Sequence, residues 1–109
     1  MELQRPFDRV VSAYVFHEFD LETKVRLLHR IAAHHLAAGG RIVVADIAFP
    51  NFEARAQASQ HWSDSWDADE FYWAADEAGA ACARAGLQVT YKQVSSCGGV
   101  FTFTNKGTG

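Results

Sequence analysis

The chain has 109 residues, 49% of them hydrophobic, with three tryptophans and eight phenylalanines; this is the composition of one folded domain with a modest core, and it excludes a disordered tail. Thirteen acidic and ten basic residues leave a formal charge of −3, and the bases are scattered instead of forming a stripe, so no nucleic-acid partner is expected. No apolar run approaches the roughly 20 residues that span a bilayer, and "MELQRPFDR" lacks the basic start and apolar stretch of a signal peptide, which makes the cytoplasm the default location. Cys82 and Cys97 have no neighbouring Cys or His at zinc spacing, so both read as small packed thiols and no metal site is predicted.

The first element is "FDRVVSAYVF". Its apolar residues are too dense for a strand with one wet face, and the run reads as a strand covered by helices on both faces. "FDLETKVRLLHRIAAHHLAAGG" follows, with Asp20 placed to cap free backbone N–H groups and Glu22 adding negative charge to the helix start. Leu21, Val25, Leu28, Ala32, His35 and Leu36 recur at spacings of three and four. They predict a helix of about five turns, stopped by Gly39-Gly40.

"RIVVADIAF" is a second buried strand, ending near Asp46 and broken by Pro50-Asn51. Residues 52–66 carry helix formers with only a weak stripe, which predicts a short helix followed by a loop. A capping box from Asp67 to Glu70 then introduces a helix over "FYWAADEAGAACARAGL", with Phe71, Ala74, Ala78, Cys82 and Ala85 on one stripe and Gly86 as its stop. Phe71 and Trp73 cannot share a face of that helix. "QVTYKQVSS" and "GVFTFTN" alternate about Cys97-Gly98-Gly99 and predict a hairpin.

The order strand, helix, strand, helix, helix, strand, strand implies an α/β fold with right-handed crossovers. The expected sheet is mixed and four-stranded: two parallel strands plus a C-terminal hairpin.

These residues, "FDRVVSAYVFHEF…K…LL…LAAGGRIVVADIAFP" and "AGLQVTYKQVSSCGGVF", resemble the second half of class I S-adenosylmethionine-dependent methyltransferases, from about Phe7 to Phe103. The resemblance implies a half-Rossmann domain over residues 1–109 that begins at the fourth strand of a seven-stranded fold. The family's glycine-rich turn, which lets a backbone approach the cofactor, belongs to the half expected to be absent; no GxGxG occurs in this sequence. Methyl transfer to a small molecule is the implied activity, with S-adenosylmethionine as cofactor, bound weakly or not at all by this chain alone. The alternative is a non-catalytic half-domain that self-associates or complements a chain carrying the glycine-rich half. In the family the fourth strand is central, so segment 8–16 would be left at an edge and invite a homodimer or a complementary chain.

By the same resemblance, Ser12, Ala13 and Tyr14 would line the cofactor pocket and His17 would stand near the transferred methyl; alternatively Tyr14 and Phe16 pack the core and His17 begins a loop. An imidazole can take a proton from an attacking hydroxyl or amine. Glu18 is poorly placed to orient it, since neighbours in an extended segment point oppositely, and the family often has a second His there. Asp46 could contact substrate, orient His17, or cap the turn through "AFPN". Trp62, Trp66 and Tyr72, in the aromatic stretch "HWSDSWDADEFYW", could shape an apolar acceptor pocket with Phe71 and Trp73, or seal the helix layer over the sheet. His29, His34, His35 and His61 do not converge at ligand spacing and are expected at the surface or rim.

Overall fold

A computed structural model describes residues 7–62, 66 and 70–105. The chain runs through strand β1 (Phe7–Ala13), a 3-10 turn (Phe16–Glu18), helix α1 (Leu21–His34), strand β2 (Leu36–Phe49), helix α2 (Phe52–His61), a two-residue strand β3 (Trp73–Ala74), helix α3 (Ala75–Arg84), and strands β4 (Leu87–Gln93) and β5 (Gly98–Asn105). The sheet order is β1-β2-β5-β4, with β3 added at the end of β2. β1 lies parallel to β2 in the register Val10↔Ile42 through Ala13↔Ala45, and β2, β5 and β4 are successively antiparallel. This is the mixed sheet expected, enlarged to five strands by β3.

Local chemistry accounts for the starts of α1 and α2. The Thr23 N–H donates to the Asp20 carboxylate at 2.8 Å and opens α1, and Asn51 does the same for α2 through the Ala54 N–H at 2.7 Å. Several boundaries differ from the expectation: β1 ends at Ala13, β2 spans Leu36–Phe49, and two helix ends move. α1 ends at His34, short of the glycine pair. Gly39, at φ 77, and Gly40 shape the irregular entry of β2 instead; a Cβ on Gly40 would come within 2.9 Å of the Ala37 and Asp8 carbonyls, so only glycine fits there. The second of these helix ends is the start of α3 at Ala75, while Phe71–Ala74 precede it and Trp73 and Ala74 pair with Ala48 and Phe49 of β2. Of the predicted capping box, Asp67 lies outside the described residues, and Glu70 caps no helix because none begins at residue 71.

The core lies on one face of the sheet. Ile42, Val44 and Ala48 of β2, Phe101 and Phe103 of β5 and Leu87 of β4 meet Leu28 and Ala32 of α1 and Ala78 and Cys82 of α3 around Trp73. Rings stack closely here, with Trp73 4.5 Å from Phe101 and 6.0 Å from Phe16, which adds edge and face attraction to the burial itself. Burial also pushes the Cys82 thiol up to about 11, so it is an inert packed group.

On the opposite face α2 packs only at the carboxyl end of β2, where Ala58 meets Phe49, and Val43 and Ala45 are only half-buried. The expectation of strands covered on both sides holds at that end of β2 and is corrected for β1 and the start of β2. Val11 shows the result most plainly, at 72% exposed on the outer strand β1. Among the described residues β1 has one hydrogen-bonded neighbour, and no strand pairs with its other edge.

Candidate active site

The site forms where the carboxyl ends of the parallel strands β1 and β2 meet, the side of an open α/β sheet on which ligands bind. β1 leaves the sheet through Tyr14, whose φ of 58 is left-handed and whose N–H donates to the Ala45 carbonyl at 2.8 Å. The 3-10 turn that follows buries Phe16 against Trp73 and turns His17 back over β2.

Asp46, 1% exposed, is the centre of the arrangement. Its Oδ1 accepts from His17 Nδ1 at 2.6 Å and from the Ile47 N–H at 2.8 Å, and its Oδ2 accepts from the Trp73 indole N–H at 3.1 Å. Three donors satisfy a carboxylate that could not otherwise be buried. On the far side of the imidazole, Nε2 lies 2.9 Å from Glu70 Oε2. Acceptors on both ring nitrogens call for two N–H donors, so His17 is held here as an imidazolium. Burial works to lower its pKa, but the hydrogen bond to Asp46 and the charges of Asp46, Glu70 and Glu18 outweigh it, and the pKa is raised above 6.5.

The sign of the linkage follows. A raised histidine pKa contributes stability that is present in full below the unfolded value of about 6.5 and is lost as pH rises through the folded value. An NMR titration of the His17 ring is therefore expected to give a midpoint above 6.5, and Glu70→Gln is expected to lower it; an unchanged midpoint in that variant would show that Glu70 does not hold the ring.

Glu70 also accepts from the Tyr72 hydroxyl at 2.7 Å, and the Phe71 N–H donates to the His17 carbonyl at 2.6 Å. Segment 70–73 thus folds over His17. Two cations grip its carbonyls: Lys24 of α1 donates to Phe71 O, and Arg55 of α2 donates to Tyr72 O at 2.9 Å while pairing with Glu77 at 2.6 Å.

Beside this cluster is an apolar cavity of about 280 Å³, lined by Ile47, Phe49, Trp62, Trp66, Tyr72 and Cys97. Trp66 meets Tyr72 edge-on at 4.7 Å, and the Tyr72 ring lies 6.2 Å from that of His17, so one wall of the cavity adjoins the imidazole. A cavity of this size and lining suits a small, largely apolar molecule.

Of the residues singled out in the sequence, His17 and Asp46 come together directly, and Trp62, Trp66 and Tyr72 share one cavity. Asp46 caps no turn through "AFPN"; that turn is followed by the Asn51 cap. Ser12, Ala13 and Tyr14 stand at the open edge, with Tyr14 63% exposed. Phe71 is exposed and Trp73 is buried. Among the described residues no group of three His, Cys, Asp or Glu is placed to hold a metal ion. Glu70, Lys24 and Arg55 were not legible as site residues, since each acts across the fold.

No protein-family model matches the sequence, and no curated protein does. Solved structures do resemble it. The mitomycin 7-O-methyltransferase MmcR superposes on 95% of this chain with a TM-score of 0.70 at 18% identity. NcsB1, an O-methyltransferase from neocarzinostatin biosynthesis solved with S-adenosylmethionine and 2-hydroxy-5-methyl naphthoic acid, covers 94% with a TM-score of 0.64 at 21% identity. A pericyclic reaction enzyme covers 94% with a TM-score of 0.65 at 15% identity. The chain spans 31%, 30% and 27% of those three chains. It has the α/β fold of class I methyltransferase structures over the portion it covers, and at such identities the likeness is one of fold.

Proposed function

We propose that the chain supplies the acceptor side of an S-adenosylmethionine-dependent methyltransferase acting on a small hydroxylated molecule. The observation that carries this reading is the 2.6 Å His17–Asp46 bond at the strand ends, beside an aromatic-lined cavity. An acceptor in that cavity would bring its hydroxyl to His17 in place of Glu70. With the ring neutral, Nε2 takes the hydroxyl proton, while Asp46 keeps Nδ1–H in the correct tautomer and stabilises the imidazolium that forms. The methyl group would come from S-adenosylmethionine when bound, with Ser12, Ala13 and Tyr14 against it.

Those three residues do not make a whole cofactor site. We place the remaining contacts on chain outside these 109 residues or on a second chain, joined along β1. The open edge of β1, the absence of GxGxG from the sequence and the 31% span of MmcR support this. The same edge supports a second reading, a non-catalytic half-domain that pairs with itself: unpaired strand groups flanked by exposed Val11, Tyr14 and Val15 favour strand addition. The cytoplasm is the proposed location; among the described residues no helix is long and apolar enough to cross a membrane.

One calorimetric series with sedimentation on the same samples tests both. Titrating S-adenosylmethionine into the chain should give no micromolar binding, whereas 1-naphthol should bind and lose affinity at least about tenfold in Trp66→Ala, the loss of one aromatic contact. Sedimentation at micromolar concentration should show association that Val11→Lys weakens. Micromolar cofactor binding by a monomer would overturn the incomplete-site reading, and no naphthol binding at millimolar concentration would overturn the acceptor-side reading.

A further inference from the structure

We propose that Lys24 is a positioning residue: by gripping the Phe71 carbonyl and the face of Trp73, it holds Glu70 and Trp73 against His17 and Asp46. Lys24 is 2% exposed on the buried side of α1, where the helix pattern alone would place an apolar residue. Among the described residues no carboxylate lies within ion-pairing distance of its ammonium; it is held by the Phe71 carbonyl and by the Trp73 ring, whose centroid is 4.4 Å away. A buried ammonium with so little compensation is costly, and this one grips segment 70–73, which carries Glu70 and Trp73 to the candidate site.

The connections are direct. Trp73, gripped on its face, donates from its edge to Asp46 Oδ2 at 3.1 Å, and Asp46 Oδ1 holds His17 Nδ1. Phe71, gripped at its carbonyl, donates its N–H to the His17 carbonyl, and the preceding residue is the Glu70 that meets Nε2. Each contact of segment 70–73 with the site is within two bonds of a group that Lys24 touches or belongs to the adjacent residue. The groups whose charge reaches the amine come from every element around it: Asp20 on α1, Asp46 on β2, Arg55 on α2 and Glu77 on α3, with Glu70 lining the same 480 Å³ cleft. Burial is the largest influence among them and lowers the Lys24 pKa to about 8. The grip is then subject to pH close to neutrality, since a neutral amine loses the cation–π attraction and donates more weakly.

As a contribution to methyl transfer this rests on the reading of His17 as the base, but its test needs neither cofactor nor acceptor. The His17 ring and the Trp73 indole N–H are followed by NMR from pH 6 to 9.5 in the wild type and in Lys24→Met, which keeps length and loses charge and donor. In the wild type the Trp73 indole resonance is expected to move with a midpoint near 8, and in Lys24→Met that transition should vanish. The same variant should bring the His17 midpoint down toward 6.5 as Glu70 loosens. The direction is decisive, because a neighbour acting only by its charge would raise the His17 midpoint when removed, and a mere filler would leave it in place. Either of those results, or a Trp73 resonance that stays flat in the wild type, overturns the proposal. Should Lys24→Met fail to fold, the wild-type titration decides alone.

Discussion

Asp46→Ala is expected to destabilise the chain by about 3 kcal/mol, the low end of what removing one partner of a buried charged pair costs. The loss is larger than one hydrogen bond, because the carboxylate is the common acceptor for His17 Nδ1, the Ile47 N–H and the Trp73 indole. Removing it leaves donors with no acceptor, at about 1–3 kcal/mol for each that water cannot reach. For a domain near this size the melting temperature should fall by roughly 10–20 °C. Asp46→Asn, which keeps one acceptor oxygen but turns an amide toward the remaining donors, should fall between. Thermal melts followed by near-ultraviolet circular dichroism measure both. A melting temperature for Asp46→Ala within two or three degrees of wild type would mean that the network does not hold the site together.

Trp73→Ala should be more damaging still, by about 4–5 kcal/mol, the upper range for deleting a large buried aromatic. Trp73 packs against Phe16, Phe101 and Phe103, so its removal opens a cavity at the meeting point of both helices and the sheet. Such a loss is a large part of the roughly 5–15 kcal/mol that stabilises an ordinary domain. Trp73→Phe separates the two roles, because it keeps most of the ring packing and removes only the N–H to Asp46; about 1–2 kcal/mol is expected, set by that charge-assisted bond. Urea unfolding of the two variants gives both numbers. If phenylalanine proved as harmful as alanine, the hydrogen bond and not the packing would be what Trp73 contributes.

The contrast between these residues shows how far local pattern reaches. Asp20, the β4–β5 hairpin and the parallel pairing of β1 with β2 were legible because each depends on neighbours in sequence or on the forced geometry of a crossover. The start of α3 was not. "FYWAADEAG" carries strong helix formers behind an apparent cap, yet Trp73 and Ala74 pair with Ala48 and Phe49, a partnership some 25 positions distant that no local propensity reports. The same misreading concealed Glu70, whose chemistry lies with His17 across the fold. Lys24 was hidden differently. The stripe through Leu21, Val25, Leu28 and Ala32 does face the core, but Lys24 is buried beside Leu28 and Ala32, and a lysine is the residue a hydrophobicity pattern assigns to water. His17 and Asp46 were visible as candidates because the sequence pattern sets them near the carboxyl ends of two strands; only the tertiary structure joins them.

The turn at Tyr14 bears on how this protein can change over evolutionary time. Its backbone is left-handed although the residue has a Cβ, a conformation disfavoured by about 1–2 kcal/mol, and its ring is mostly in solvent, so the main-chain path toward His17 imposes the requirement and the phenol does not. Glycine, asparagine and aspartate can enter this position freely by drift. Valine, isoleucine and threonine are closed to lineages that keep His17 over Asp46, whatever their effect on hydrophobicity.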